Sequence, residues 1–225
     1  MPPSPETGTW QRLKRMPRRA SEVLRDEGVR GLGSHVLGVL GDVVRYRRAV
    51  LLVRPLGDPI PTATARIPVE ISLLKPSEID EYVAFQPDIT TAQARHRFER
   101  GDKCFVARHQ GIIVNASWSA EGAAWINYFE RRLPLAPGEV YSYHNYTDPR
   151  YRGNNVPFVR EVYLLRHFRD LGYRRLVAIV IPENKPAFAS PEKSGYRRVG
   201  VIGYLKIGPW RYERMSAWHR RDQLE

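Results

Sequence analysis

The stretch Asp148-Pro149-Arg150-Tyr151-Arg152-Gly153-Asn154-Asn155-Val156-Pro157 decides the fold of this chain. The residues before it alternate as a strand does: Val140, Ser142, His144 and Tyr146 on one side, Tyr141, Tyr143, Asn145 and Thr147 on the other. The residues after it, about Asn155 to Leu171, predict a helix that stops at Leu171-Gly172-Tyr173. The stretch is therefore a strand end turning into a helix. Such a turn offers unpaired backbone N–H groups and the positive end of a dipole, a place where a phosphorylated ligand can bind.

Working outward, Leu176-Val177-Ala178-Ile179-Val180-Ile181 reads as a short strand and Asn184 to Lys193 as a Pro-interrupted helical segment. Tyr196 to Ile207 reads as a final long strand or strand pair. A basic, aromatic tail then starts at Pro209, with Trp210, Tyr212 and Trp218 among Arg211, Arg214, Arg220 and Arg221. Upstream, Val69 to Leu74 is a strand, and Pro76-Ser77-Glu78-Ile79-Asp80 starts a helix with Ser77 as its N-cap. A second helix spans about Thr91 to Glu99. Cys104 to Arg108 and Ile112 to Trp118 are strands joined through the hairpin signal His109-Gln110-Gly111, and Trp125 to Glu130 is a further strand candidate.

The N-terminal part, Trp10 to Arg48, reads as helical in two pieces broken near Gly31-Leu32-Gly33, with Arg45, Arg47 and Arg48 closing the second piece. Val50 to Val53 is a short strand candidate, and Gly57-Asp58-Pro59-Ile60-Pro61 a linker. The expected organisation is a basic helical extension and linker over 1–60, a main domain over 61–210 and a basic tail over 211–225.

Charge narrows the partners. The 225 residues carry a formal net charge of +12, which favours polyanions: nucleic acid, anionic lipid or a phosphorylated cofactor. An Arg-rich composition with solvated faces is the bland alternative. The single cysteine, Cys104, excludes an intrachain disulfide and sits in a strand-like run where a thiol packs as a small apolar side chain. No apolar stretch approaches the roughly 20 residues that span a bilayer, and no signal-peptide core is evident, so the expectation is a soluble, cytoplasmic protein. No metal-ligand spacing and no Ser-His-Asp arrangement stands out.

The order strand–helix–helix–strands–helix–strand–helix–strands resembles the GNAT (GCN5-related N-acetyltransferase) superfamily. The family's loop Pro-x-Tyr-Arg-Gly-x-Gly-Ile-Gly is matched by Pro149 to Pro157. Its later Asn-x-x-Ala and Glu-Lys-x-Gly-Phe are matched without a gap by Asn184, Ala187, Glu192, Lys193, Gly195 and Tyr196. The resemblance covers roughly Ile67 to Ile207. It implies an α/β (α+β) fold, a mixed central sheet flanked by helices, here with a basic N-terminal extension. It further implies acetyl- or another acyl-coenzyme A as cosubstrate, no metal, and an amine acceptor on a small molecule or peptide. The implied ligand contacts are Thr147, Arg152, Gly153, Asn154, Asn155, Val156 and Asn184.

Three positions depart from the family. Asn155 stands where it has Gly, although Asn tolerates positive φ. Pro157 replaces Gly or Ala and has no N–H to give an anion. Pro191 stands where the family often has a tyrosine acid seven residues after the Asn. Another tyrosine, with Tyr143 the candidate, then serves, or the thiol leaves unaided. The resemblance points to Glu139 as base, with His144 the alternative and Glu130 a poorer one. The damaged loop and the +12 charge also fit donors other than coenzyme A, aminoacyl-tRNA or an acyl carrier protein, and a non-catalytic binding module stays open. The N-terminal helices cover the sheet, form a homodimer or bind a partner, three alternatives the sequence leaves open.

Overall fold

A computed structural model describes residues 44–220. The two helical pieces expected over Trp10 to Arg48 lie outside the described residues except for their end, and there the expectation fails. Val44 to Arg48 are strand, the start of β1 (Val44–Pro55). Arg45, Arg47 and Arg48 therefore close no helix.

The chain divides into two units. The larger comprises 47–204 and 213–225. Its elements are β1, β2 (Glu70–Leu73), α1 (Ile79–Phe85), α2 (Thr91–Glu99), β3 (Lys103–His109), β4 (Ile112–Glu121), β5 (Ala123–Ile126), β6 (Arg131–Pro134), β7 (Glu139–Thr147), α3 (Val156–Asp170), β8 (Arg175–Val180), α4 (Ala189–Lys193), most of β9 (Arg197–Ile207), and α5 (Ser216–Arg220). The smaller unit, 1–46 with 205–212, includes the turn from β9 into β10 (Trp210–Arg214), where Trp210 and Tyr212 are exposed.

In the larger unit the sheet order is β9-β1-β8-β7-β4-β3-β2. β2, β3, β4 and β7 pair antiparallel, β7 and β8 pair parallel across the α3 crossover, and β1 lies antiparallel to β8 from Val50↔Val180 to Pro55↔Arg175. A strand that precedes the main domain in sequence thus lies in the middle of its sheet, inside the 1–60 segment expected to be extension and linker. Alternation along the strands builds two cores. Phe105, Val140, Leu52 and Leu176 meet α3 through Leu164, Leu165 and Phe168 on one face. On the other, Cys104, Val106 and Trp118 meet α1 and α2, while Val53, Tyr141 and Val177 meet the β5–β6 hairpin and Trp218. Trp218, expected in the tail, is buried in α5.

Local chemistry explains most of these boundaries. Gln110 (φ 50°) and Gly111 (φ 79°) make the two-residue turn of the β3–β4 hairpin. Thr90 caps α2: its Oγ1 accepts from Gln93 N at 3.2 Å while Gln93 Oε1 accepts from Thr90 N at 2.9 Å. Ser77 is not a cap. Pro76–Glu78 forms a 3-10 turn, and the Glu78 carboxylate accepts from Lys75 N at 2.6 Å. The strand expected from Trp125 to Glu130 ends at Ile126, because Asn127–Phe129 is a 3-10 turn and Glu130 is left-handed (φ 51°).

Candidate active site

β7 and β8 pair only from Glu139↔Arg175 to Ser142↔Ala178, although β7 continues to Thr147 and β8 to Val180. The two strands part at a bulge. On the β4 side Trp118 faces Tyr143 but Ala116 faces Tyr146, which leaves His144 as the extra residue, with φ 54°. The bulge breaks the expected alternation, and the Tyr146 ring meets Phe85 of α1 at 5.2 Å.

The parted strands open a cleft of about 1680 Å³. Its walls are residues 141–147 of β7, residues 178–181, the turn into α3, α4, one side of α2 from Gln93 to Arg100 and the β5–β6 hairpin. At the turn into α3, Gly153 has φ 81° with nothing near the place of a Cβ, and Asn155 is left-handed at φ 62°, ψ 14°. Asn155 Nδ2 donates to Thr64 O at 2.8 Å and its Oδ1 accepts from Lys193 Nζ at 3.3 Å. Arg152 Nε reaches Thr147 O at 3.4 Å. Thr147, Arg152, Gly153, Asn155 and Asn184 line the cleft. Asn154 and Val156 do not: Asn154 donates to Tyr151 O and its carbonyl accepts from Arg66 N, and Val156 is buried against Ala107 and Val114.

A buried polar chain supports this end of β7. Asn115 Nδ2 donates to Tyr146 O at 2.7 Å, Thr147 Oγ1 at 2.9 Å and Asn145 Oδ1 at 3.0 Å. Its Oδ1 accepts from Arg160 Nε at 3.2 Å. Arg160 pairs with Glu161 at 2.7 Å, and Glu161 accepts from Tyr196 Oη at 2.6 Å. With no β8 partner beyond Ser142, the β7 end is held by its pairing with β4 and by these bonds. Sequence reasoning missed Asn115, Arg160, Glu161 and Lys193. Asn115 in the apolar run Ile112 to Ala116 was the available signal, since a polar residue there has to be hydrogen-bonded.

The base and acid candidates separate. Glu139 is buried at the far end of β7, where its carboxylate pairs with Arg175 at 2.9 Å and accepts from Ala136 N at 2.7 Å. It does not line the cleft. Glu130 does not line it either, and pairs with Arg47 at 3.3 Å. His144 lines it at the bulge, and its Nδ1 is buried with no hydrogen-bond partner among the described residues. Burial, then the Arg97 charge, push its imidazole down to about 4, partly offset by Asp88. Tyr143 also lines the cleft, but its hydroxyl donates to Asp102 Oδ2 at 2.6 Å, and burial beside that carboxylate drives its pKa far up. Tyr196 is likewise committed to Glu161 and raised by burial. Pro191 lines the cleft where the family's tyrosine would stand. Cys104 is fully buried and its thiol is pushed up, as a packing residue's would be.

The fold recurs in solved structures. A GCN5-related N-acetyltransferase from Kribbella flavida superposes with a TM-score of 0.52 at 16% identity, over 80% of this chain and 64% of that one. The chain has the GNAT fold. A GNAT-family structure from Novosphingobium aromaticivorans gives 0.50 at 18% identity over 72% and 65% of the two chains. The GCN5-related glucosamine N-acetyltransferase region of a fungal multi-domain GH3 β-N-acetylglucosaminidase gives 0.52 at 14% over 80% and 23%. This chain spans less than two thirds of the length of each of these GNAT-fold chains. No family model and no curated protein matches the sequence. Among the described residues no side-chain group suited to a metal ion is present, and no helix is long and apolar enough to cross a membrane.

Proposed function

We propose that the chain is an N-acyltransferase that moves an acyl group from an acyl-coenzyme A thioester to a primary amine of a small molecule or peptide. The observation that carries this reading is the parting of β7 and β8 near His144, with the freed end of β7 running on to Thr147 and into the left-handed turn that opens α3. Acyl-coenzyme A supplies an activated thioester carbonyl. The residues fit its diphosphate with one donor fewer than usual: Gly153 and Asn155 give the backbone its concave turn, Arg152 and Lys193 give charge, and Pro157 withholds an N–H.

The unpaired edge of β7 offers backbone donors and acceptors to an extended ligand, and a fixed N–H there polarises an acyl oxygen without reorganisation. His144, held neutral down to about pH 4, is the base candidate that lines the cleft, and its imidazole accepts the amine proton, directly or through one water. Pro191 supplies no acid and the Tyr143 and Tyr196 hydroxyls are committed to carboxylates, so the thiolate leaves without their help, as a thiol's acidity of about 8.5 permits. The enzyme works in the cytoplasm, where acyl-coenzyme A is present. The test is thiol release from acetyl- and longer acyl-coenzyme A by the full chain, with and without a panel of primary amines. Amine-dependent release is expected. Its absence with every donor and amine contradicts the reading.

A second reading, an aminoacyl-tRNA donor, draws on Pro157, which removes a diphosphate donor, and on the +12 charge. A gel shift with tRNA at low and high salt tests it, and no complex at low salt ends it.

A further inference from the structure

The amine end of the cleft holds a cation that the reaction above does not use. Arg97, on α2, is only 7% exposed, lines the cleft, and its Nη1 has no hydrogen-bond partner among the described residues. Its guanidinium lies between two aromatic faces, 5.1 Å from the Trp118 ring centre and 5.2 Å from that of Tyr143. Rings cover its faces and the Tyr82 hydroxyl takes part of its edge, which leaves Nη1 for a planar oxyanion. The neighbouring carboxylate cannot serve it: Asp102 is taken by Arg100 at 2.5 Å and by the Tyr143 hydroxyl. A buried guanidinium without a counter-ion is costly, and an incoming anion removes that cost.

The rest of the cleft has the same sign. Arg97, Arg100, Arg132, Arg152, Arg160 and Lys193 face it, against Asp88 and Glu161, and Glu161 is already paired. Arg97 is at Tyr143, whereas the α3 turn meets β7 at Thr147; across the bulge these positions face Trp118 and Asn115, three residues or roughly 10 Å apart along β4. An anion at Arg97 is thus separate from a diphosphate at the turn. The geometry points to an acceptor that carries an oxyanion, a carboxylate or a phosphate, which Arg97 binds while the acceptor's amine lies toward His144. Exposed Trp125 on the β5–β6 hairpin adds a face for the remainder of such a molecule. This inference rests on the acyltransferase reading for the word acceptor, but the anion site itself does not.

The test has two arms. In the first, the Nε–Hε resonance of Arg97 in the full-length protein, assigned by its loss in Arg97→Lys, is followed while inorganic phosphate or acetate is added at fixed ionic strength. Saturable movement with a Kd of about 10 mM or tighter is expected, and the anion that produces it names the source. Movement with neither anion, or no more than sodium chloride causes, overturns the site. In the second arm, acetyl transfer to glucosamine 6-phosphate is compared with glucosamine, and to β-alanine with propylamine. The wild type is expected to favour one anionic member by about tenfold or more in kcat/KM, Arg97→Gln to lose that preference, and Arg97→Lys to keep part of it. Turnover with no preference in either pair overturns the proposal. No turnover with any amine contradicts the acyltransferase reading instead, and the resonance arm then decides the anion site alone.

Discussion

Replacing His144 by Asn tests the electrostatics of the bulge in a stability assay that needs no substrate. Asn accepts the left-handed backbone that His144 adopts at φ 54°, so the turn survives the change. In the unfolded chain the imidazole titrates near 6.5, whereas burial and Arg97 hold it at about 4 in the folded protein. Between those values the unfolded state binds more protons, so the wild type gains stability as pH rises from about 4 to about 6.5 and loses it as pH falls. Linkage with these two values gives about 2 kcal/mol lost between roughly pH 7.5 and pH 5. The Asn variant has no imidazole and lacks this slope, while every other titrating group cancels in the difference. Urea unfolding of both proteins at both pH values measures it. A wild-type loss about 2 kcal/mol larger than the variant's is expected. Equal losses would refute a buried, neutral His144 and with it the base assignment.

Three further outcomes follow from named contacts. Asn155→Val puts a β-branched residue at φ 62° and should cost about 1–2 kcal/mol and weaken coenzyme A binding in calorimetry, whereas Asn155→Gly should keep the turn. Asn115→Ala removes the donor that Tyr146 O and Thr147 Oγ1 share and leaves Arg160 Nε unpaired. A stability loss of about 2–4 kcal/mol by urea unfolding and a raised KM for the acyl donor are expected. Arg54, 1% exposed, donates to Ser194 O and Pro59 O at 2.7 Å each. Arg54→Met should cost about 3 kcal/mol or more in the same assay, because those carbonyls lose a buried charged donor.

The sequence revealed what local chemistry controls and hid what only long-range packing decides. Turns were readable: Gln110-Gly111 made the hairpin, and Asn155 took the left-handed place a glycine usually fills. β1 was partly hidden because Arg45, Arg47 and Arg48 suit a helix end as well as a strand. Only pairing with β8 and β9 settles that competition. The bulge at His144 left no mark, since the residues from Val140 to Thr147 alternate without interruption. Glu139 looked like a base in position but is neutralised by Arg175, a partner 36 positions away that sequence spacing does not reveal. Arg97 was invisible for a similar reason: arginines abound in this chain, and nothing local says which one will be buried between two rings.

The central claim is that the parted strands and the Asn155 turn form a coenzyme A site, and calorimetric titration of coenzyme A into the full chain tests it most directly. The account predicts saturable, one-to-one binding with a Kd of about 1 mM or tighter, lost in Asn155→Val and kept in Asn155→Gly. No binding at several times that concentration, or equal binding by both variants, would contradict it.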